Sequence, residues 1–196
     1  MRPPFKSPHV TGLVEWRTQG LQTIRSKSAK DQRKRAEWDD RLVSMYPFSP
    51  KSAKELLPGQ FWAIPLADGS FACGRVLQLN ASEIPVKTRA FFGGLHQWRG
   101  TSPPTSLDIA ESPLTDFGVM HIKSIVDVGG RVLGEASLSS VLPLNLSAKG
   151  GHGTMLLNGA DAIRIALPSE WGQHPVLSFW SSDFIKQLAE LKQPAV

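Results

Sequence analysis

The 196-residue chain has one cysteine, Cys73, and one tyrosine, Tyr46. A lone thiol excludes an internal disulfide framework and any Cys-rich zinc site, and it points to a reducing compartment. No apolar run reaches the ~18 residues that a membrane-spanning helix needs. The charged start MRPPFKSPHV is not followed by the apolar segment of a secretory signal. The expectation is a cytoplasmic protein without membrane contact. Histidine is sparse too: the five, at positions 9, 96, 121, 152 and 174, form no HxH or HxxxH pair, which leaves a metal site without support. There is no Gly-x-Ser-x-Gly elbow and no defensible His-Cys pairing. The neighbouring carboxylates Asp39 and Asp40 would face different directions on a helix. Nothing here favours an enzyme, and no cofactor is expected.

What the chain does have is turn chemistry. Its 15 prolines and 17 glycines suit short strands better than a helical bundle. A hydrophobic content of 41% can fill one core. Charge is uneven: residues 1–41 hold ten Lys or Arg against five Asp or Glu, whereas residues 42–196 hold twelve of each. The whole +5 excess therefore sits in an N-terminal arm, which we place at residues 1–50, ahead of a β-rich domain at 51–196.

Helix formers dominate the arm from Leu13 to Met45, with Gly20 as a break. Trp38, Leu42 and Met45 recur at i, i+4 and i+7 and share one helical face. Arg25, Lys27, Lys30, Arg33, Lys34 and Arg35 cluster between the break and that face. Two readings apply. Asp31, Glu37, Asp39 and Asp40 lie in helical reach and make this a solvated, internally paired face. Alternatively, the six cations contact nucleic-acid phosphates or an acidic partner.

Tyr46-Pro47-Phe48-Ser49-Pro50 ends the helix, and Ser52 with Glu55 has capping-box spacing. The body then opens with Pro58 to Leu79, two apolar strands across an Asp68-Gly69 turn of the kind that takes φ > 0 at both central residues. Trp62, Ile64 and Leu66 share one face, Phe61 and Ala63 the other; Pro65 calls for an edge or a bulge. Cys73 reads as a small buried residue, and Arg75 as an ion-pair or rim residue. A third strand is expected over Val86–Phe92, ended by Gly93-Gly94. Leu95–Gly100 then reads as a loop whose Trp98 and Arg99 are residue types favoured at binding hot spots, with His96 at the rim. Trp98 folding back as a lid is the competing reading. Residues 101–118 read as a long loop with at most one short strand.

Further on, Val119–Val126 and Arg131–Leu138 predict a second hairpin across Gly129-Gly130, and Leu142–Leu146 a short strand or loop. Gly150-Gly151-His152-Gly153 lacks the Lys and helix of a phosphate loop and reads as a turn. Met155–Leu157 and Ala162–Leu167 predict a last hairpin turned at Asn158-Gly159. A closing helix begins at Ser181 or Ser182, with Phe184, Leu188 and Leu191 as its docking face. The fold class is α+β: a curled antiparallel sheet or small β-barrel with an N-terminal helical arm and a C-terminal helix packed on it.

The order Pro58-Gly59-Gln60-Phe61-Trp62-Ala63-Ile64-Pro65-Leu66, then Asp68-Gly69, then Ala72-Cys73-Gly74-Arg75-Val76-Leu77 resembles the N-terminal signature of immunity protein family 26, small bacterial proteins encoded beside polymorphic toxins. The resemblance spans residues 55–170, and the basic arm departs from it. It implies a non-enzymatic cytosolic protein that binds and neutralises a cognate protein toxin. It supplies no catalytic residues. Two other classes remain open: a nucleic-acid-binding module using the basic helix, and a hydrolase gathering His121, Lys123 or His152 in one pocket.

Overall fold

The computed structural model describes residues 46–85, 89–110, 112–138, 142–147 and 153–192. The helix expected over Leu13–Met45, the six-cation cluster, the first residues of the expected third strand and the Gly150–His152 turn lie outside these. The chain divides between Met45 and Tyr46, and the second unit, from Tyr46 onward, holds all the described elements.

In chain order these are β1 (Gln60–Pro65), β2 (Phe71–Gln78), β3 (Ala90–Gly100), helix α1 (Ser106–Ala110), β4 (Leu114–His121), helix α2 (Lys123–Val126), β5 (Gly134–Glu135), β6 (Leu144–Leu146), β7 (Met155–Asn158), β8 (Asp161–Ile165), β9 (Phe179–Trp180) and helix α3 (Ser182–Lys192). Six strands form a sheet in the order β5-β1-β2-β3-β4-β9, and β6-β7-β8 form a second. The larger sheet is antiparallel except where β9 runs parallel to β4. The α+β class holds. The barrel does not: β5 and β9 end the large sheet without pairing with each other, so it is open and mixed.

The first hairpin forms as expected, with one change of turn. The Leu66 N–H donates to the Ser70 carbonyl (2.9 Å) and the Gly69 N–H to the Leu66 carbonyl (3.1 Å). This is a three-residue loop in which Gly69 alone takes positive φ, +85°, as in a type I turn closed by a left-handed glycine. Pro65 is reached by β2 but not by the two-residue β5, which pairs only with Gln60 and Phe61, so its missing N–H lies on an open edge.

Close neighbours explain the glycines. Trp62 is paired with Gly74 across the hairpin, and a Cβ on Gly74 would lie 2.3 Å from the indole Cζ2. Gly93 and Gly94 do not end a strand; β3 runs through both, because added Cβ atoms there would meet Arg75 O and Asp116 O at 2.9 Å. Sequence reasoning took a Gly-Gly pair as a terminator, whereas close strand packing requires it here.

The burial clusters separate the two faces of the sheet. Trp62, Ile64, Val76, Phe91, Leu95 and Met120 form the main core with Ile125 of α2 and with Ile185 and Ala189 of α3. The closing helix therefore does dock. Of the expected face Leu188 packs on the core, beside the buried Ile185 and Ala189, while Phe184 and Leu191 are exposed. On the opposite face Leu77, Phe92 and Val119 meet Leu157, Ala160 and Leu177, and Phe61 and Cys73 meet Ile109.

Other expectations change with long-range pairing. The second hairpin is absent: β4 pairs with β3 and β9, and β5 pairs with β1. Strand β4 starts at Leu114, inside the expected loop, and the chain turns helical at Lys123. The β7–β8 turn centres on Gly159 and Ala160, since Asn158 pairs with Asp161; only Gly159 has positive φ, the pattern of a type II′ turn. The capping box does not form: Ser52 makes no cap bond, and Glu55 Oε2 accepts the N–H of Lys51, one residue before the cap, at 3.0 Å.

Replacing Gly74 by Ala forces the Trp62 ring from its seat, and the expected loss is about 1–3 kcal/mol, measured as a lower urea midpoint at unchanged slope.

Candidate functional site

Strand β3 carries the three residues singled out for partner contact, and the loop expected around them is corrected: Leu95–Gly100 belongs to the strand. Ala72 pairs with Arg99 and Phe71 with Gly100. His96 is only 2% exposed, and its Nδ1–H donates to the Ser112 carbonyl at 2.8 Å. Burial, aided by the nearby Arg75 charge and opposed by the Ser112 bond, holds its pKa down to about 4. The ring is neutral at pH 7. Trp98 is half-buried against the Phe61–Cys73–Ile109 cluster, and its ring covers Gly100, where a Cβ would lie 2.5 Å from Cζ2. This is the folded-back reading of Trp98.

Arg99 reaches over the first turn. Its Nε–H donates to Ser70 Oγ at 2.8 Å and its Nη2 pairs with Asp68 Oδ2. Asp68 also accepts from the Ser70 hydroxyl and amide. Those Ser70 bonds, with Arg99 adding, hold its carboxyl at about 2. Arg99 thus latches the β1–β2 turn to β3.

Arg75 is neither at a rim nor in an ion pair. It is 4% exposed, and its Nη2 donates to the carbonyls of Ala136 (2.5 Å) and Ser137 (2.8 Å). Burial lowers its pKa. A buried guanidinium with carbonyl partners fixes the segment that leads from β5 toward the small sheet. Cys73 is fully buried, and burial pushes its thiol pKa up, so its chemistry is that of a small apolar residue. Among the described residues no three His, Cys, Asp or Glu side chains converge as metal ligands, and no helix is long and apolar enough to cross a membrane. His121 and Lys123 do line one pocket, together with Lys51 and Arg89; His152 lies outside the described residues.

The feature that sequence reasoning missed is the open edge of β8. This strand ends the order β6-β7-β8, so no strand among the described residues pairs with its outer side. All five of its residues are exposed. Ile163, Ile165 and the following Leu167 are each more than half exposed. The strand is nevertheless held firmly. Asp161 accepts from Gln78 Nε2 (2.8 Å) and from the Ser82 N–H (2.7 Å), and the Ala162 N–H donates to Ser82 Oγ at 2.8 Å. Arg164 pairs with Glu170 through both carboxylate oxygens. That pairing first, and the Leu167 amide second, hold the Glu170 carboxyl at about 2. The alternation Ile163, Ile165, Leu167 was legible, but alternation normally means that the apolar side is covered.

His96 yields a prediction. Its folded pKa of about 4 lies below the ordinary 6.5, so folding favours the neutral ring, and the associated stability is present above pH 6.5 and lost as pH falls toward 4. The loss is at most about 3 kcal/mol. Asp68 and Glu170, near 2, titrate below this window. Urea midpoints measured from pH 7 to pH 4 should fall for the natural chain and fall less in His96→Asn, where His121, also lowered, still titrates.

Compared with known proteins, the chain matches no family model, no curated protein and no solved structure.

Proposed function

We propose that this protein is a non-enzymatic inhibitor that binds and neutralises a cognate bacterial protein toxin, with β8 as its principal contact strand. The observation that carries the reading is the exposed outer side of β8, which no strand among the described residues pairs, with Ile163, Ile165 and Leu167 in alternation. Exposed strand edges template the addition of another chain. An extended partner segment gains main-chain hydrogen bonds there, and alternate apolar side chains give it specificity. The resemblance of Pro58–Leu77 to an immunity-protein signature supports a toxin as that partner. A stable inhibitor interface buries about 1,200–2,000 Å² in total, so β8 supplies its centre and neighbouring surface its remainder. Trp98, Arg99 and His96 serve this reading from behind, by fixing the sheet.

The test is co-expression with the toxin encoded by the adjacent gene. Growth should be restored, and the two proteins should co-purify in equal amounts after nuclease treatment at physiological salt. Ile163→Lys with Ile165→Lys should weaken binding roughly a hundredfold and leave the melting temperature unchanged, because both side chains are exposed. Continued toxicity, or binding that disappears with nucleic acid, would overturn the reading and return attention to the arm cations.

A further inference from the structure

A second site lies away from β8. Lys51 precedes β1, Arg89 precedes β3, and His121 and Lys123 sit where β4 gives way to α2; all four line one open pocket of about 420 Å³. That volume lies in the range of small-molecule sites, roughly 300–1,000 Å³. Residues 42–196 hold twelve Lys and Arg against twelve Asp and Glu, yet this pocket gathers three of the cations and one carboxylate, Asp127. Among the described residues the ion pairs are Arg99–Asp68 and Arg164–Glu170, so none of the three cations is paired. Like charges brought together in a concave surface repel one another, and the field they focus there favours an anion.

The histidine fits the same chemistry. The Lys123 N–H donates to His121 Nδ1 at 3.2 Å, which places the proton of the neutral ring on Nε2. Burial first, then the Lys123 and Arg89 charges, lower its pKa, with Asp127 opposing. At pH 7 it is a neutral donor beside three cations. Pro50 and Ile122 are buried and Val126 is partly exposed, so the pocket also has an apolar wall.

We propose that this pocket binds a small phosphate monoester, its phosphate held by Arg89, Lys51, Lys123 and the His121 Nε2–H, and its body resting on Pro50, Ile122 and Val126. The guanidinium matches a phosphate with two parallel donors, and the ammonium groups act as point charges. The proposal is independent of the toxin reading, because it uses none of the β8 surface.

The test is an NMR titration of the full chain with adenosine monophosphate, inorganic phosphate and adenosine, following the His121 ring resonance. Adenosine monophosphate should saturate the shift, inorganic phosphate should compete, and adenosine should bind far more weakly. Saturation should raise the His121 pKa, since a bound anion favours the imidazolium. Arg89→Gln and Lys123→Gln should each weaken binding roughly tenfold, and Arg131→Gln, outside the pocket, should not. No saturable shift, or equal binding by the two pocket variants, would overturn the proposal. So would an oligonucleotide that saturates the His121 shift when adenosine monophosphate does not, since the cations would then be a nucleic-acid surface.

Discussion

The seating of indole rings on glycines sets the geometry of the large sheet. Trp62 lies on Gly74, Trp180 on Gly118 and Trp98 on Gly100; an added Cβ would come within 2.3, 2.7 and 2.5 Å of the respective rings. Glycine weakens a strand because it costs conformational entropy and offers no side chain to pack. A ring lying flat over it restores the buried area and excludes water from the backbone. Trp62 then meets Phe91 edge to face at 5.8 Å, so the first hairpin is joined to β3 through the core as well as through hydrogen bonds. Trp180 does the same for the parallel strand β9: its ring covers Gly118 while its Nε1–H donates to Ser178 Oγ at 2.9 Å. The helix α3 follows directly, and Ile185 and Ala189 close the face that Trp62 opens.

On the reverse face polar groups hold the architecture. Arg75 stands on β2 between the Phe61–Cys73–Ile109 cluster and the Leu77–Phe92–Leu157 cluster, and it binds the carbonyls of the chain crossing above it. His96 fixes the loop before β4 through Ser112. Both are residue types that sequence reading associates with function. Both are buried, and their shifted pKa values follow from that burial. Perturbed titration is therefore a mark of structural staples here. His121, by contrast, is both perturbed and open to a pocket.

Most local signals in the sequence survived folding, although the expected hairpin across Gly129-Gly130 did not. The Pro58–Leu79 hairpin, the last hairpin and the closing helix were legible because turn chemistry and apolar period act over few residues. The Gly93-Gly94 pair was misread because a glycine that breaks a strand and one that admits a neighbour look alike until the neighbour is known. The β4–β9 pairing was out of reach for the same reason: a two-residue parallel strand carries no pattern of its own. Of the contact residues named in advance, Trp98 and Arg99 showed the right residue types in the wrong setting, since their loop was a strand tied to Asp68 and Ser70. The pocket was half visible, through His121 and Lys123. Lys51 and Arg89 joined it only through the packing of distant segments.

Edge strands are normally guarded by a charge or a proline that discourages association. Strand β8 has two charged residues, and neither serves as a guard. Asp161 is engaged by Gln78 and Ser82, and Arg164 is drawn to Glu170. All five residues of the strand are exposed, and Ala162, Ile163 and Ile165 are its apolar members. Holding the two charges internally stiffens the strand, so a partner adding to it meets a preorganised edge and loses less freedom in binding. The strand keeps both charges exposed yet engaged within this chain. Its rigidity and its apolar alternation together fit a surface whose cover comes from another protein.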